Sequence, residues 1–359
     1  MKKLFCLLLI LGLLLTGCAN TPAETQPVTE APTEATTEPT EEPTTVPTTE
    51  PAPVYTNPLT GEVIDEPLDT RIFALTVNNI YNAVPHCGVQ EADIFMEMFV
   101  NGSIVRGLAL YTDPSNVPII GSIRSTRFMF TGIAKHYNAI VAHAGGSYAV
   151  LSDAEARGVE GFNIDTGGET YYSCRDLERA RAGFPWEACL VARGEGLMDK
   201  AIESGIDVSA NPEKDYNLRF TEDGTPADGE SAQSITVTFK SFAVKDSTMN
   251  YDAERGAYIY WQHGKEMTDF YTGEPETFEN VIIMLSDIAI NLKGYHDADF
   301  MAGGPGYYAC GGKLIPITWG CDAEDTPFWF RTEDGKELTL GVGNTYIAVA
   351  PLESTVVYE

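Results

Sequence analysis

The sequence predicts an α/β module followed by a mainly antiparallel β module, and three observations carry that reading. From Tyr55 to about residue 206, strand-length apolar runs alternate with stretches of helical period. From Ser234 onward the helical stretches stop, and short β-like runs are divided by turn signals such as Glu254-Arg255-Gly256, Gly311-Gly312 and Asp334-Gly335. Between the two, residues 207–233 are polar and rich in Asp, Glu, Gly and Pro, which marks a linker.

The chain opens with Lys2 and Lys3, then an apolar run from Leu4 to Leu15 and the small residues Thr16 and Gly17 before Cys18. A membrane-spanning helix needs about 20 apolar residues, so residues 1–17 read as a secretion signal. The ending Leu15-Thr16-Gly17-Cys18 resembles a bacterial lipobox, which implies a lipid on Cys18 and a place on the outer side of the cytoplasmic membrane. Cleavage elsewhere, without lipid, is the alternative. Residues 18–54 follow as a stalk. Positions 19–53 hold eight prolines, eleven threonines and seven glutamates, with no Lys or Arg, too little apolar surface to order a chain. At ~3.1 Å per residue such a spacer reaches on the order of 100 Å.

Within residues 55–206, the runs 72–77, 94–99, 104–111 and 139–142 read as buried strands. Arg124–Lys135, Tyr148–Arg157 and Glu195–Ser204 read as helices. Within 234–359, strands are expected at 234–242, 257–261, 281–285, 313–319, 328–331 and 346–350. At 43% hydrophobic residues the 359-residue chain has ample material for a core, which excludes a wholly disordered protein. Its 52 Asp and Glu against 23 Lys and Arg give a net charge of −29, which argues against nucleic acid as a partner.

Five cysteines follow Cys18, and an odd number outside the membrane leaves at least one unpaired. Cys174 and Cys189 bracket a short excursion and are a candidate disulfide. No Cys-x-x-Cys or Cys/His cluster is present, so neither a metal nor a cofactor is expected. Asp297, Asp299, Asp322, Glu324 and Asp325 match no calcium-loop spacing and read as solvated acids.

The richest stretch for chemistry is 139–150, where a strand ends at His143, turns through Gly145 and Gly146, and meets Ser147 at a helix start. Glycines there let backbone N–H groups approach a ligand, and strand carboxyl ends are where ligands gather in α/β sheets. Arg124 and Arg127, three apart, could clamp a phosphate or carboxylate, and the amides of Asn78 and Asn79 suit hydroxyls. The structural alternative is a glycine-required turn with Ser147 as a helix cap. Glu97 lies inside an apolar run, so it is either paired, with Arg106 the obvious partner, or a general acid with a raised pKa. Glu97 and His143 are thus the candidate acid and base of an enzyme.

Several of these segments recur together. LTVNN (75–79), AVPHCGVQEADIFME (83–97), IVRGLALY (104–111), GSIRSTRFMF (121–130) and AHAGGS (142–147) resemble the YerB-like lipoproteins of Gram-positive bacteria. So do FENVIIM (278–284), GGPGYYACGGKLIPITW (303–319) and DGKELTLGVGNTYIAVAP (334–351). The resemblance implies two modules and no known reaction. The expectation is therefore a lipid-anchored surface protein that binds an anionic or polar envelope ligand: a glycan, teichoic acid or a peptide stem. An envelope glycan hydrolase or transferase, and a scaffold for another surface protein, are the alternatives.

Overall fold

Strands covered on both faces need apolar side chains throughout, and those with one wet face alternate. Both kinds occur here. The structure is a computed structural model that describes residues 54–359 apart from 212, 241, 242 and 292. The signal, Cys18 and all of the stalk but its last residue lie outside the described residues. The first half supplies strands β1 (Phe73–Asn78), β2 (Ile94–Asn101), β3 (Ile104–Tyr111), β4 (Ile140–His143) and β5 (Gly161–Asn163), with helices α1 (Phe128–Tyr137) and α2 (Tyr148–Ala156). The second supplies β6 (Ser234–Lys240), β7 (Val244–Asp252), β8 (Ala257–Gln262), β9 (Asn280–Ser286), β10 (Gly304–Cys310), β11 (Lys313–Gly320), β12 (Thr345–Pro351) and β13 (Thr355–Tyr358).

One 11-stranded mixed sheet runs through both halves, in the order β11-β10-β9-β12-β2-β3-β1-β4-β5, with Glu230–Ser231 and Trp329–Thr332 both pairing with β11. Strand β12, buried at every residue, lies parallel to β9 on one side and to β2 on the other, so the halves are joined by a ladder. A six-stranded sheet of Lys265–Glu266, β8, β7, β6 and β13, with Thr277–Phe278 beside β8, covers one face. Strand β6 alternates along its length, and its buried Ile235, Val237 and Phe239 join Met249, Tyr258 and Tyr260 against Phe95, Phe99, Ile283 and Tyr346 of the large sheet. On the opposite face α1 buries Met129, Phe130, Ile133, Ala134 and Tyr137, a stripe at helical spacing, against Met96, Met98, Leu108 and Ile347. Asn138 ends that helix in the left-handed conformation, φ 53°.

Gly107 shows how tightly these layers mesh. A Cβ there would stand 2.2 Å from Cε2 of Phe95, so only glycine lets the Phe95 ring lie across β3. Gly107→Ala is expected to cost about 1–3 kcal/mol, read as a lower urea midpoint at unchanged slope.

The antiparallel β character expected of the second half is present. The α/β expectation for the first half is met only loosely: β4, α2 and β5 form one strand–helix–strand unit, and strands far outweigh helices. The helix expected from Arg124 begins only at Phe128, because residues 122–126 form an extended arm hydrogen-bonded to β1 and to the loop after β4. Segment 207–233 is not bare connection: Arg219–Thr221 pairs with Thr339–Gly341, and Glu230–Ser231 with β11. Cys174 and Cys189 are free thiols rather than a disulfide. Cys174 lies on the strand Ser173–Arg175 opposite Val191, whereas Cys189 ends the short helical turn just before that partner strand.

Candidate functional site

Strands β1, β2 and β4 run in the same direction and deliver Asn78, Asn101 and His143 at their carboxyl ends. The arm crosses these ends: Asn78 N–H donates to Ser122 O, Arg124 N–H to Thr76 O, and Thr126 N–H to Gly145 O. It thereby fixes Arg124 and Arg127 beside Arg106, which the β1–β3 register places directly across from Asn78. Arg106 Nη1 donates to Ser125 O at 2.6 Å, and Arg127 Nη1 donates to the same oxygen at 3.3 Å. Two guanidinium groups therefore share one carbonyl. Arg127 also reaches Thr126 O and Asn101 Oδ1 and stacks over the Tyr295 ring at 5.4 Å.

Among the described residues, no ion pair joins Arg106, Arg124 or Arg127 to any Asp or Glu. Burial, then repulsion from Arg127 and Arg124, pulls the Arg106 pKa down to about 9. Burial lowers Arg127 as well, with Arg124 adding to it against the opposite pull of Tyr295. Arg106 Nε, Arg124 Nε and Asn78 Nδ2 are buried donors without a hydrogen-bond partner among the described residues. Helix α1, whose N-cap residue is Arg127, has no side-chain cap. All of these groups want negative charge or lone pairs.

Glu97 is not paired with Arg106. In the β2–β3 ladder Glu97 stands opposite Gly107 and Arg106 opposite Met98, so the two side chains leave opposite faces of the sheet. Fully buried, Glu97 instead meets Lys245 Nζ, accepts from Asn79 Nδ2 at 2.7 Å and Ser247 Oγ at 2.6 Å, and takes a bond from Tyr346 O–H. Burial pushes its carboxyl up, but the Lys245 ammonium and these donors outweigh burial and hold it below the usual range. A general acid with a raised pKa is therefore not what this residue is. His143 leaves the other face of the sheet, so it and Glu97 do not form an acid–base pair.

Two family models match the chain: the N-terminal domain of a protein of unknown function (DUF3048) over residues 59–183, and its C-terminal domain over 235–347. The Bacillus subtilis (strain 168) protein named "Putative lipoprotein YerB" is 27% identical over 300 residues, 82% of this chain and 86% of its own. The chain belongs to this YerB-like family. A crystal structure of YerB from Bacillus subtilis shares the fold, with a TM-score of 0.70 over 84% of this chain and 99% of that one, at 23% identity.

In this family member the remaining expected site residues divide. Ser147 caps α2, accepting from Val150 N–H at 3.4 Å. Gly145 turns the chain at φ 73°, with open space where a Cβ would be, while Gly146 packs close to Leu151 and Thr126. His143 lines a cavity of about 340 Å³ with Thr126, Leu151 and Ile206. Its Nδ1 is buried without a partner, and burial holds its pKa down at about 4. Asn79 belongs to the Glu97 cluster, on the face away from Asn78. The acids 297–325 do not converge: Asp299 caps a short turn, Asp322 accepts from Trp329, and Glu324 faces Arg157. Arg106 as a site residue, and Lys245, were not legible as such in the sequence. The parity of Arg106 with Asn78 is the signal that could have found the first.

Proposed function

We propose that this protein is a lipid-anchored extracytoplasmic binding protein that holds an anionic group of an envelope polymer on Arg106, Arg124 and Arg127. The carrying observation is the carbonyl of Ser125 shared by two guanidinium groups, with a third close enough to depress both and no carboxylate among the described residues paired with them. In a chain of net charge −29, carboxylates to neutralise them are plentiful, yet none among the described residues forms an ion pair with them. Crowded like charges cost several kcal/mol unless an anion offsets them, so a ligand phosphate or carboxylate would be bound by relief of repulsion as well as by hydrogen bonds. The lipobox-like ending at Cys18, the family's named lipoprotein, and the absence of a long apolar helix among the described residues support the anchor.

The test uses the full chain in detergent and purified Gram-positive cell wall. The wild type is expected to co-sediment, while Arg124→Ala with Arg127→Ala loses at least tenfold in retention. Its melting midpoint should hold or rise, because repulsion on Arg106 is relieved. Wall stripped of teichoic acid by hydrofluoric acid separates phosphate from peptide carboxylate as the bound group. Undiminished retention of the double variant would refute the assignment.

A further inference from the structure

On the other side of the molecule two depressions adjoin. One, of about 570 Å³, is lined by residues that include Asn79, Lys245, Asn250 and Trp261. The other, of about 610 Å³, includes Asn82, Pro185 and Lys265. Both are lined by Tyr81, Gln262 and His263, so together they make one long groove with a saddle at those residues. Tyr81 is 58% exposed and meets the His263 ring edge-on at 5.4 Å.

The saddle is rigid. Gln262 pairs with Lys265 across a two-residue turn, His263-Gly264, and both turn residues have positive φ, 53° and 72°. That is the twist-matched hairpin turn, in which Asn-Gly or Asp-Gly is usual; here a ring occupies the first position. Beneath it, Gln262 is almost fully buried and gives its Nε2 to Asn79 Oδ1, and Asn79 is in turn held by Glu97 and the Tyr260 hydroxyl. Gln262 Oε1, itself buried, has no partner among the described residues. The floor of the saddle is thus tied into the hydrogen bonds around Glu97, which hold the turn that carries His263.

We infer that this groove binds a carbohydrate chain, with Tyr81 and His263 stacking against a sugar ring at the saddle. Four features favour that ligand. The site is long and open at both sides of the saddle, as a polymer requires. Its rings offer apolar faces to sugar C–H groups. Its lining amides and hydroxyls that reach solvent, Asn82, Asn250, Ser103 and Thr248, match sugar hydroxyls. Its exposed charges are few, since Lys245 is neutralised by Glu97 behind it and only Lys265, Asp246 and Glu266 remain. This inference is independent of the arginine cluster, which lies across the sheet.

Binding of N-acetylglucosamine and glucose oligomers of two to six units, and of peptide-free glycan strands from cell wall, is read by calorimetry on the full chain in detergent. Affinity should rise with length for at least one of these series. Tyr81→Ala should weaken it at least tenfold, Tyr81→Trp should restore it, and Arg124→Ala with Arg127→Ala should leave it unchanged. No binding by any of these glycans overturns the inference. So does equal binding by Tyr81→Ala, or a stem peptide that competes with the sugar for the groove.

Discussion

Lys245→Met is expected to lower unfolding stability by about 3–5 kcal/mol at neutral pH, measured by urea titration. The substitution leaves Glu97 ionised, fully buried and without its counter-charge, although Ser247, Asn79 and Tyr346 still donate to it. Taking one member from a buried pair costs more than removing both, so Lys245→Met with Glu97→Gln should be less damaged than the sum of the single variants. The pH dependence fixes the cause. With Lys245 present, the Glu97 carboxyl is depressed, so its contribution is present above the unfolded value near 4.5 and fades as pH falls through the folded one. Without Lys245, burial is the largest influence left and raises that carboxyl. The deficit of Lys245→Met should then shrink as pH falls toward 4, since a protonated Glu97 no longer needs a cation. A deficit that stayed constant with pH would mean that Lys245 matters for packing alone.

The second large effect concerns acid. His143 has a folded pKa of about 4 against an unfolded value of 6.5, because burial disfavours the imidazolium and a bond with the Gly145 backbone only partly offsets it. A depressed histidine stabilises the fold above the unfolded value, where both states are neutral, and that stability is lost as pH falls from 6.5 to about 4, where only the unfolded chain takes up the proton. The loss is about 3 kcal/mol when complete. His136, His263 and His296 are lowered by burial in the same direction and steepen the slope. His143→Gln should flatten the stability profile between pH 6.5 and 4 by roughly this amount, read from urea midpoints along a pH series. An unchanged slope would show that His143 takes up its proton in the folded state.

The parts of this fold that a linear reading reaches are those in which one residue's surroundings are set by its neighbours in sequence. Strands β1 and β12 are covered on both faces, so their burial is written as unbroken apolar runs. Strand β7 carries no strand signal because its first residues, Val244-Lys245-Asp246-Ser247, lack apolar alternation; its inward side chains include Lys245 and Ser247, whose reason for being polar is a carboxylate about 150 positions away. Strand β10 was hidden by its glycines and proline, which the ladder accepts because Gly304 and Gly306 lie close against the carbonyls of Leu285 and Ile283. The site followed the same rule. Arg124 and Arg127 are near each other in sequence and were legible, as was the turn at Gly145. Pairing Glu97 with Arg106 failed because adjacency of strands does not fix which face a side chain leaves. A one-residue difference in register decides that, and composition does not record it.

Strand β12 has a consequence in time. It is inserted between β9 and β2, yet it lies about 250 positions after β2 along the chain, and its Tyr346 closes the bonds around Glu97. A chain delivered from its amino end would hold β2 with one whole side unpaired and Glu97 incompletely solvated until the last strands arrive. Contacts of such long range are slow to form, and an unpaired hydrophobic strand is open to pairing with other chains. The first half thus has no finished structure to adopt on its own. Pairing of that side of β2 waits for the carboxyl end, so any chain that stops short of β12 leaves the edge open.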